Sequence, residues 1–168
     1  GMIEIHPLEG IGEVQPGDDL AALLRAALER QGLIARSSDV LVVTQKIVSK
    51  AEGQIVVLDD VTPGAKAKRV AGLCRKDPRL VELVLAESES VVRAVPHVLI
   101  TRHRLGMVMA NAGIDRSNIG AGDAERVLLL PRDPDASAAG LSAALGVPVV
   151  ISDSFCRPWR MGVVAVAI

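Results

Sequence analysis

The run Asp39-Val40-Leu41-Val42-Val43-Thr44 passes without a break into Gln45-Lys46-Ile47-Val48-Ser49-Lys50-Ala51-Glu52-Gly53. Its apolar core shows no polar alternation, which predicts a strand buried on both faces. A second such run, Val147-Pro148-Val149-Val150-Ile151, leads into Ser152-Asp153-Ser154-Phe155-Cys156-Arg157-Pro158-Trp159-Arg160. The two strands, around Val42 and Val149, are expected to be central and buried. Each releases polar residues at its end, where α/β sheets commonly carry their sites.

Working outward, residues 2–6 read as a short strand and 7–17 as a loop. Asp18 or Asp19 caps a helix to Arg30, with Leu20, Leu23, Leu24, Ala27 and Leu28 at helical spacing and Gly32 as the stop. Residues 54–58 form a strand. Thr62-Pro63 opens a helix to about Lys76, and Asp77-Pro78 opens another to about Arg93. Residues 97–103 and 107–110 form a hairpin around Gly106, and 111–118 a polar loop. Residues 126–130 form a strand, 135–145 a small Ala-rich helix and 161–168 a last strand. Helices and strands mix short hairpins with longer crossovers, which predicts an α+β fold, a mixed sheet with flanking helices.

The 168 residues suit one domain with a real core. A net charge of −1 offers no broad cationic surface, which argues against nucleic acid as the main partner. No run is apolar and long enough for a membrane helix. Two cysteines, Cys74 and Cys156, without CxxC or Cys/His ligand spacing, suit a reducing, cytoplasmic setting. Gly1-Met2 reads as a cleavage remnant before a native methionine. The apolar 161–168 run has no turn signal or polar tail, so further chain or another subunit is expected to cover it. That run and the excess of aliphatic residues predict a homodimer.

The only aromatic residues, Phe155 and Trp159, share one short segment with an acid, hydroxyls, a thiol and two arginines. A structural turn plugged by Trp159 is the alternative reading. Lys46 and Lys50 fall one turn apart if a helix follows the strand, and would suit a phosphate or remain solvated. No GxxxxGK[ST] occurs, so a nucleotide site here is not a P-loop. Asp115, in Asn111-Ala112-Gly113-Ile114-Asp115-Arg116-Ser117-Asn118, can ligate a hard cation or belong to an Asx-type turn. Asp153 and Ser154 offer adjacent oxygens, and Arg157 and Arg160 planar forks for phosphate or carboxylate. Two carboxylates with cationic groups are the parts of metal-assisted phosphoryl transfer. His6, His97 and His103 match no metal spacing, and His103 is expected on an exposed strand face. Cys74 reads as packing. Cys156 has arginines nearby that lower a thiol pKa, but no histidine base near it in sequence.

Five segments occur in order: Pro7-Leu8-Glu9-Gly10; 39–43 running to Ser49-Lys50-Ala51-Glu52-Gly53; Asn111-Ala112-Gly113-Ile114-Asp115 with Asn118; Leu128-Leu129-Leu130-Pro131 with Asp133-Pro134-Asp135; and Ser152-Asp153-Ser154 with Arg157 and Arg160. Together they resemble the coenzyme F420-0:L-glutamate ligase family over essentially the whole chain. The resemblance implies GTP-dependent addition of L-glutamate to the carboxylate of F420-0, through an acyl phosphate. It implies Mg²⁺ or Mn²⁺, with K⁺ as a further candidate. Asp115, Asp153 and Ser154 (Thr in most of the family) then correspond to metal ligands. Leu8, Glu9, Gly10, Ile11, Lys50 and Asn118 correspond to nucleotide contacts, with Gln45 and Lys46 in the same nucleotide-facing segment. Arg157 and Arg160 are the candidate catalytic cations. Asp115 and Asp153 are expected to converge, with carboxylates on the order of 4–7 Å apart.

Cys156 departs from the family, which commonly has Gly there. The family chain is also longer, with another metal ligand and more nucleotide contacts in its C-terminal part. Residues 1–168 are therefore expected to form a ligase-like domain incomplete at its C-terminus, weak in turnover but able to bind anions. The alternative is a non-catalytic relative that binds nucleotide or a coenzyme-like anion as an interaction module.

Overall fold

The computed structural model describes residues 1–117, 122, 124–156 and 162–168. In chain order the elements are α1 (Leu20–Arg30), β1 (Leu41–Thr44), α2 (Gln45–Ala51), β2 (Ile55–Val57), α3 (Ala65–Cys74), α4 (Pro78–Ala86), β3 (Ser88–Val95), β4 (Val98–His103), β5 (Val108–Ala110), β6 (Asp115–Ser117), β7 (Arg126–Leu128), α5 (Pro134–Leu145), β8 (Val149–Cys156) and β9 (Val163–Ala167). This is an α+β fold. It divides into two compact units, Gly1–Gly53 with Pro131–Ile168, and Gln54–Leu130.

In the first unit β1 runs parallel to β8, with Val43 opposite Ile151, and β9 returns antiparallel on the other side of β8. Val14, Leu20, Leu24, Val43, Val48, Leu141 and Ile151 form its core. The Asp19 carboxylate accepts the Ala22 N–H and starts α1; Asp133 accepts the Ala136 N–H and starts α5. The expectation of two central strands holds for β8 alone. β1 is the edge of this three-stranded sheet, and Val42 is 63% exposed. The apolar run serves one face, through Val43, while Val40 and Val42 stay on the surface. β8 also runs past the expected turn to Cys156. Residues 2–6 form no strand: no ladder receives them, and Met2, Ile3 and Ile5 are exposed.

The second unit holds two further sheets, ordered β2-β7-β6 and β3-β4-β5. Its core joins Leu58, Val70, Cys74, Val81, Val84, Leu99, Ile114 and Val127. The 97–110 hairpin forms as expected. The helix opened by Thr62-Pro63 begins only at Ala65, with Gly64 at its N-cap and no capping side chain. The helix opened by Asp77-Pro78 stops at Ala86 rather than Arg93. Residues 88–95 pair antiparallel with β4 instead, where β-branched Val91 and Val95 fit a pleated surface. Residues 111–118 are likewise not all loop: Asp115–Ser117 pairs with Arg126–Leu128.

His103 lies opposite to its expected place. It is fully buried, with Nδ1 accepting the Leu105 N–H at 3.0 Å and Nε2 3.8 Å from Glu87 Oε2. Burial holds its pKa below the ordinary range. The Arg104 cation acts in the same direction and Glu87 opposes both.

Candidate functional site

Parallel pairing sets the geometry of the first unit. Thr44 lies opposite Ser152 in the last β1–β8 pair, and the next residues are Gln45, which opens a helix, and Asp153, which continues in β8 against β9. Gln45 opens α2 and is 1% exposed. Its Nε2 donates to Asp153 Oδ1 at 3.5 Å, and its Oε1 accepts from the buried Ser49 hydroxyl at 3.1 Å. The same Asp153 oxygen accepts the Ser154 N–H at 2.8 Å. Gln45 is thus a buried strut between the helix and the carboxylate.

Lys46 and Lys50 share one face of α2, as their spacing predicts. Lys50 Nζ lies 3.6 Å from Glu13 Oε1. The 8–11 loop is tied to the end of α1. Glu9 N–H donates to Gln31 Oε1 at 2.7 Å, Gln31 Nε2 to the Pro7 carbonyl at 2.9 Å, and Arg30 Nη2 to the Gly10 carbonyl at 2.9 Å. Gly10 has φ +74°, and Leu8 and Ile11 pack against the first core. Leu8, Glu9, Gly10 and Ile11 are therefore held in one fixed loop, whose Glu9 carboxylate and Gly10 backbone are exposed.

Asp153 and Ser154 do not lie side by side. They occupy successive ladder positions, opposite Val166 and Ala165, and successive strand side chains project to opposite faces. The adjacent oxygens expected from the sequence presumed a turn where the strand continues. Carboxylate oxygen remains the right donor for a hard cation such as Mg²⁺ or Mn²⁺. Among the described residues no three His, Cys, Asp or Glu side chains gather into a metal cluster. Arg157, Arg160 and Asn118 lie outside the described residues, as do the side chains of Phe155 and Cys156.

Asp115 begins β6 in the second unit, opposite Leu128. It lines a cavity of about 430 Å³ together with Arg75, Lys76, His97, Asn111 and Arg116. The Asn111–Gly113 turn before it is left-handed throughout, with φ of +52°, +51° and +68°. Glycine is required at its third position, because a Cβ on Gly113 would come within 2.9 Å of Leu130 Cγ. Sequence reading passed over Arg75 and His97. It placed Arg75 inside a helix that in fact ends at Cys74, and left-handed backbone at a charged residue leaves no mark in composition.

A family model described as F420-0:Gamma-glutamyl ligase matches residues 10–168. The chain is 46% identical to the Coenzyme F420:L-glutamate ligase of Methanopyrus kandleri, over 99% of this chain and 64% of that protein. It is 42% identical to the protein of the same name from Natronomonas pharaonis, over 99% of this chain and 64% of the relative. For that of Methanothermobacter thermautotrophicus the identity is 41%, over 99% of this chain and 67% of the relative. The chain thus spans about 64% of the length of the first two of these relatives. A match over nearly the whole chain, at this identity, shows that the chain belongs to the F420-0:gamma-glutamyl ligase family.

Proposed function

We propose that this chain acts in joining L-glutamate to the carboxylate of coenzyme F420-0, with GTP as phosphoryl donor. The observation that carries the proposal is its 46% identity, over 99% of its length, to a relative named Coenzyme F420:L-glutamate ligase. A carboxylate oxygen of F420-0 attacks the γ-phosphorus, the bridging P–O bond breaks, and GDP leaves. The glutamate amine then attacks the acyl carbon. A C–N bond forms, the C–O bond to phosphate breaks, inorganic phosphate leaves, and the amine loses a proton to solvent.

The chain's own residues supply position and charge. Lys46 and Lys50 offset phosphate charge from one face of α2, and Glu13 orients Lys50. The Ser49–Gln45 strut places a donor beside the Asp153 carboxylate and helps to orient it. Asp115 and Asp153 are the proposed ligands for Mg²⁺ or Mn²⁺. When bound, such a cation draws charge off the phosphate oxygens. Arg157 and Arg160 are the proposed cations for the transferring group, and the fixed 8–11 loop the proposed nucleotide contact. A homodimer in the cytoplasm completes the reading, supported by the exposed valines of the first sheet and by the free, buried thiol of Cys74.

The test is incubation of the chain with F420-0, L-glutamate, GTP and Mn²⁺, with mass analysis of the coenzyme and assay of phosphate. Glutamyl product and phosphate that both require GTP and glutamate are expected. GTP hydrolysis that ignores glutamate, or glutamylation without GTP, would overturn the reading.

A further inference from the structure

Two side chains at the end of α1 grip the main chain of the 8–11 loop. Gln31 brackets Leu8: its Nε2 donates to the Pro7 carbonyl at 2.9 Å, and its Oε1 accepts the Glu9 N–H at 2.7 Å. Arg30 Nη2 donates to the Gly10 carbonyl at 2.9 Å. The guanidinium lies close over Gly10, with Nη2 3.6 Å from the place a Cβ would take. Among the described residues Arg30 makes no ion pair, so its cation serves a backbone oxygen and not a carboxylate.

These three bonds fix which way the peptide groups of the loop face. In a trans peptide the C=O and the N–H point in opposite directions. The Pro7 carbonyl and the Glu9 N–H turn towards Gln31, so the Leu8 N–H and the Leu8 carbonyl turn away from it. The Gly10 carbonyl turns towards Arg30, so the Ile11 N–H turns away. Among the described residues none of these three outward groups has a hydrogen-bond partner. Two donors and one acceptor are thus left on the side of the loop that α1 does not hold. The side chains leave little else to offer. Leu8 and Ile11 pack against the first core, Gly10 has no side chain, and the Glu9 carboxylate repels phosphate.

We infer that Arg30 and Gln31 are positioning residues for the nucleotide, which aim the main chain of Leu8 and Ile11 at it. This rests on the proposed reading of the 8–11 loop as a nucleotide contact. It adds that the contact is made by backbone groups and that their direction is set from α1. Without the two side chains these peptide groups sample several orientations, and a nucleotide then binds only the fraction of loops that face it correctly.

The test measures GDP binding by calorimetry, with Mn²⁺ present, to the 168-residue chain and to Gln31→Leu, Arg30→Leu and Arg30→Lys. The bonds removed lie at the surface, and Leu8 and Ile11 keep their core contacts, so the variants are expected to fold and to melt near the parent. GDP should bind about five- to tenfold weaker to Gln31→Leu and about fivefold weaker to Arg30→Leu. Arg30→Lys keeps a donor for the Gly10 carbonyl and should recover most of that loss. NMR relaxation without nucleotide should show the Glu9, Gly10 and Ile11 amides more mobile in Gln31→Leu than in the parent. Addition of GDP should shift the Leu8 and Ile11 amide signals of the parent. In the ligase assay the KM for GTP should rise at unchanged kcat; a lower kcat at unchanged KM is the mark of a merely structural defect and would overturn the inference. Parent-like GDP affinity in the folded Gln31→Leu and Arg30→Leu proteins, or a loop no more mobile, would also overturn it while leaving the nucleotide reading in place. GDP binding that leaves the Leu8 and Ile11 amides unshifted, or no GDP binding at all, would remove the nucleotide reading of the loop and the inference with it. GDP binding that depends on both side chains, without glutamyl product, would remove the ligase reading alone.

Discussion

Replacing Gln45 by Leu is the most direct test of how Asp153 is held. The substitution keeps the volume and removes both ends of the strut. The Ser49 hydroxyl loses the acceptor it reaches at 3.1 Å, and Asp153 loses the donor at 3.5 Å. The first is a buried bond of ordinary length, with a net worth of about 1 kcal/mol. The second is long and charge-assisted, so it adds no more than about 1 kcal/mol. Ser49 can recover part of this by turning to the helix carbonyl four residues back. The expected loss is therefore about 1–2 kcal/mol, read as a lower urea midpoint at unchanged slope.

The effect on Asp153 should exceed the effect on stability. A carboxylate freed from its outer partner commonly loses about 10- to 100-fold in metal affinity. Mn²⁺ titration followed by electron paramagnetic resonance measures this directly. Ser49→Ala alone removes only the far end of the strut and should weaken Mn²⁺ by a smaller factor. The Gln45→Leu/Ser49→Ala pair should be more stable than the sum of the single losses, because no buried hydroxyl is left unpaired. An unchanged Mn²⁺ affinity in a folded Gln45→Leu protein would refute the strut.

Three further outcomes are expected. Gly113→Ala places a Cβ 2.9 Å from Leu130 Cγ at φ +68°, so left-handed strain and overpacking together should cost about 2–5 kcal/mol, read by thermal melting. A melting temperature within error of the parent would contradict that geometry. His103 is held neutral by burial, so above about pH 6.5 it takes up no proton in either state. As pH falls below that value the unfolded chain gains the proton first, and stability should drop until the folded pKa is passed. His103→Gln should flatten that part of the profile, and an equal slope in both proteins would refute the assignment. The exposed Val40, Val42 and Val163 support a homodimer, which light scattering should show; a soluble monomer at tens of micromolar would count against it.

Local signals were the ones legible in the sequence. Asp19 caps its helix as read, because a capping carboxylate acts within three residues; the Asp133 cap, one residue before Pro134, was passed over. The 97–110 hairpin followed from Gly106 at its turn. Residues 88–93 read as helix because their strand state depends on pairing with β4, which no short window contains. His103 looked exposed between two arginines, yet Arg104 turns aside to bond Glu87 at 2.7 Å while His103 goes inward. At the candidate site, Asp153 was visible as an acid beyond an apolar run. The role of Gln45 was not, because it comes from a register joining residues 108 positions apart. Arg75, His97 and Asn111 share a cavity through backbone conformation, which residue identity alone does not report.

The discontinuity of the first unit bears on the order in which the chain is made. Residues 54–130 enter through β2 and leave through β7, which pair with Ile55 opposite Leu128. The Leu129 N–H bonds back to the Gln54 carbonyl at 2.9 Å, so this segment closes on itself like a stitched seam. On the ribosome it is complete before any of β8 exists. β1, by contrast, must wait for a parallel partner that follows about a hundred residues later, which at ribosomal speed is about 5–20 s. During that interval its Val40, Leu41, Val42 and Val43 stand unpaired. The nascent chain is then most open to chaperones, and to mispairing with its neighbours on the same messenger.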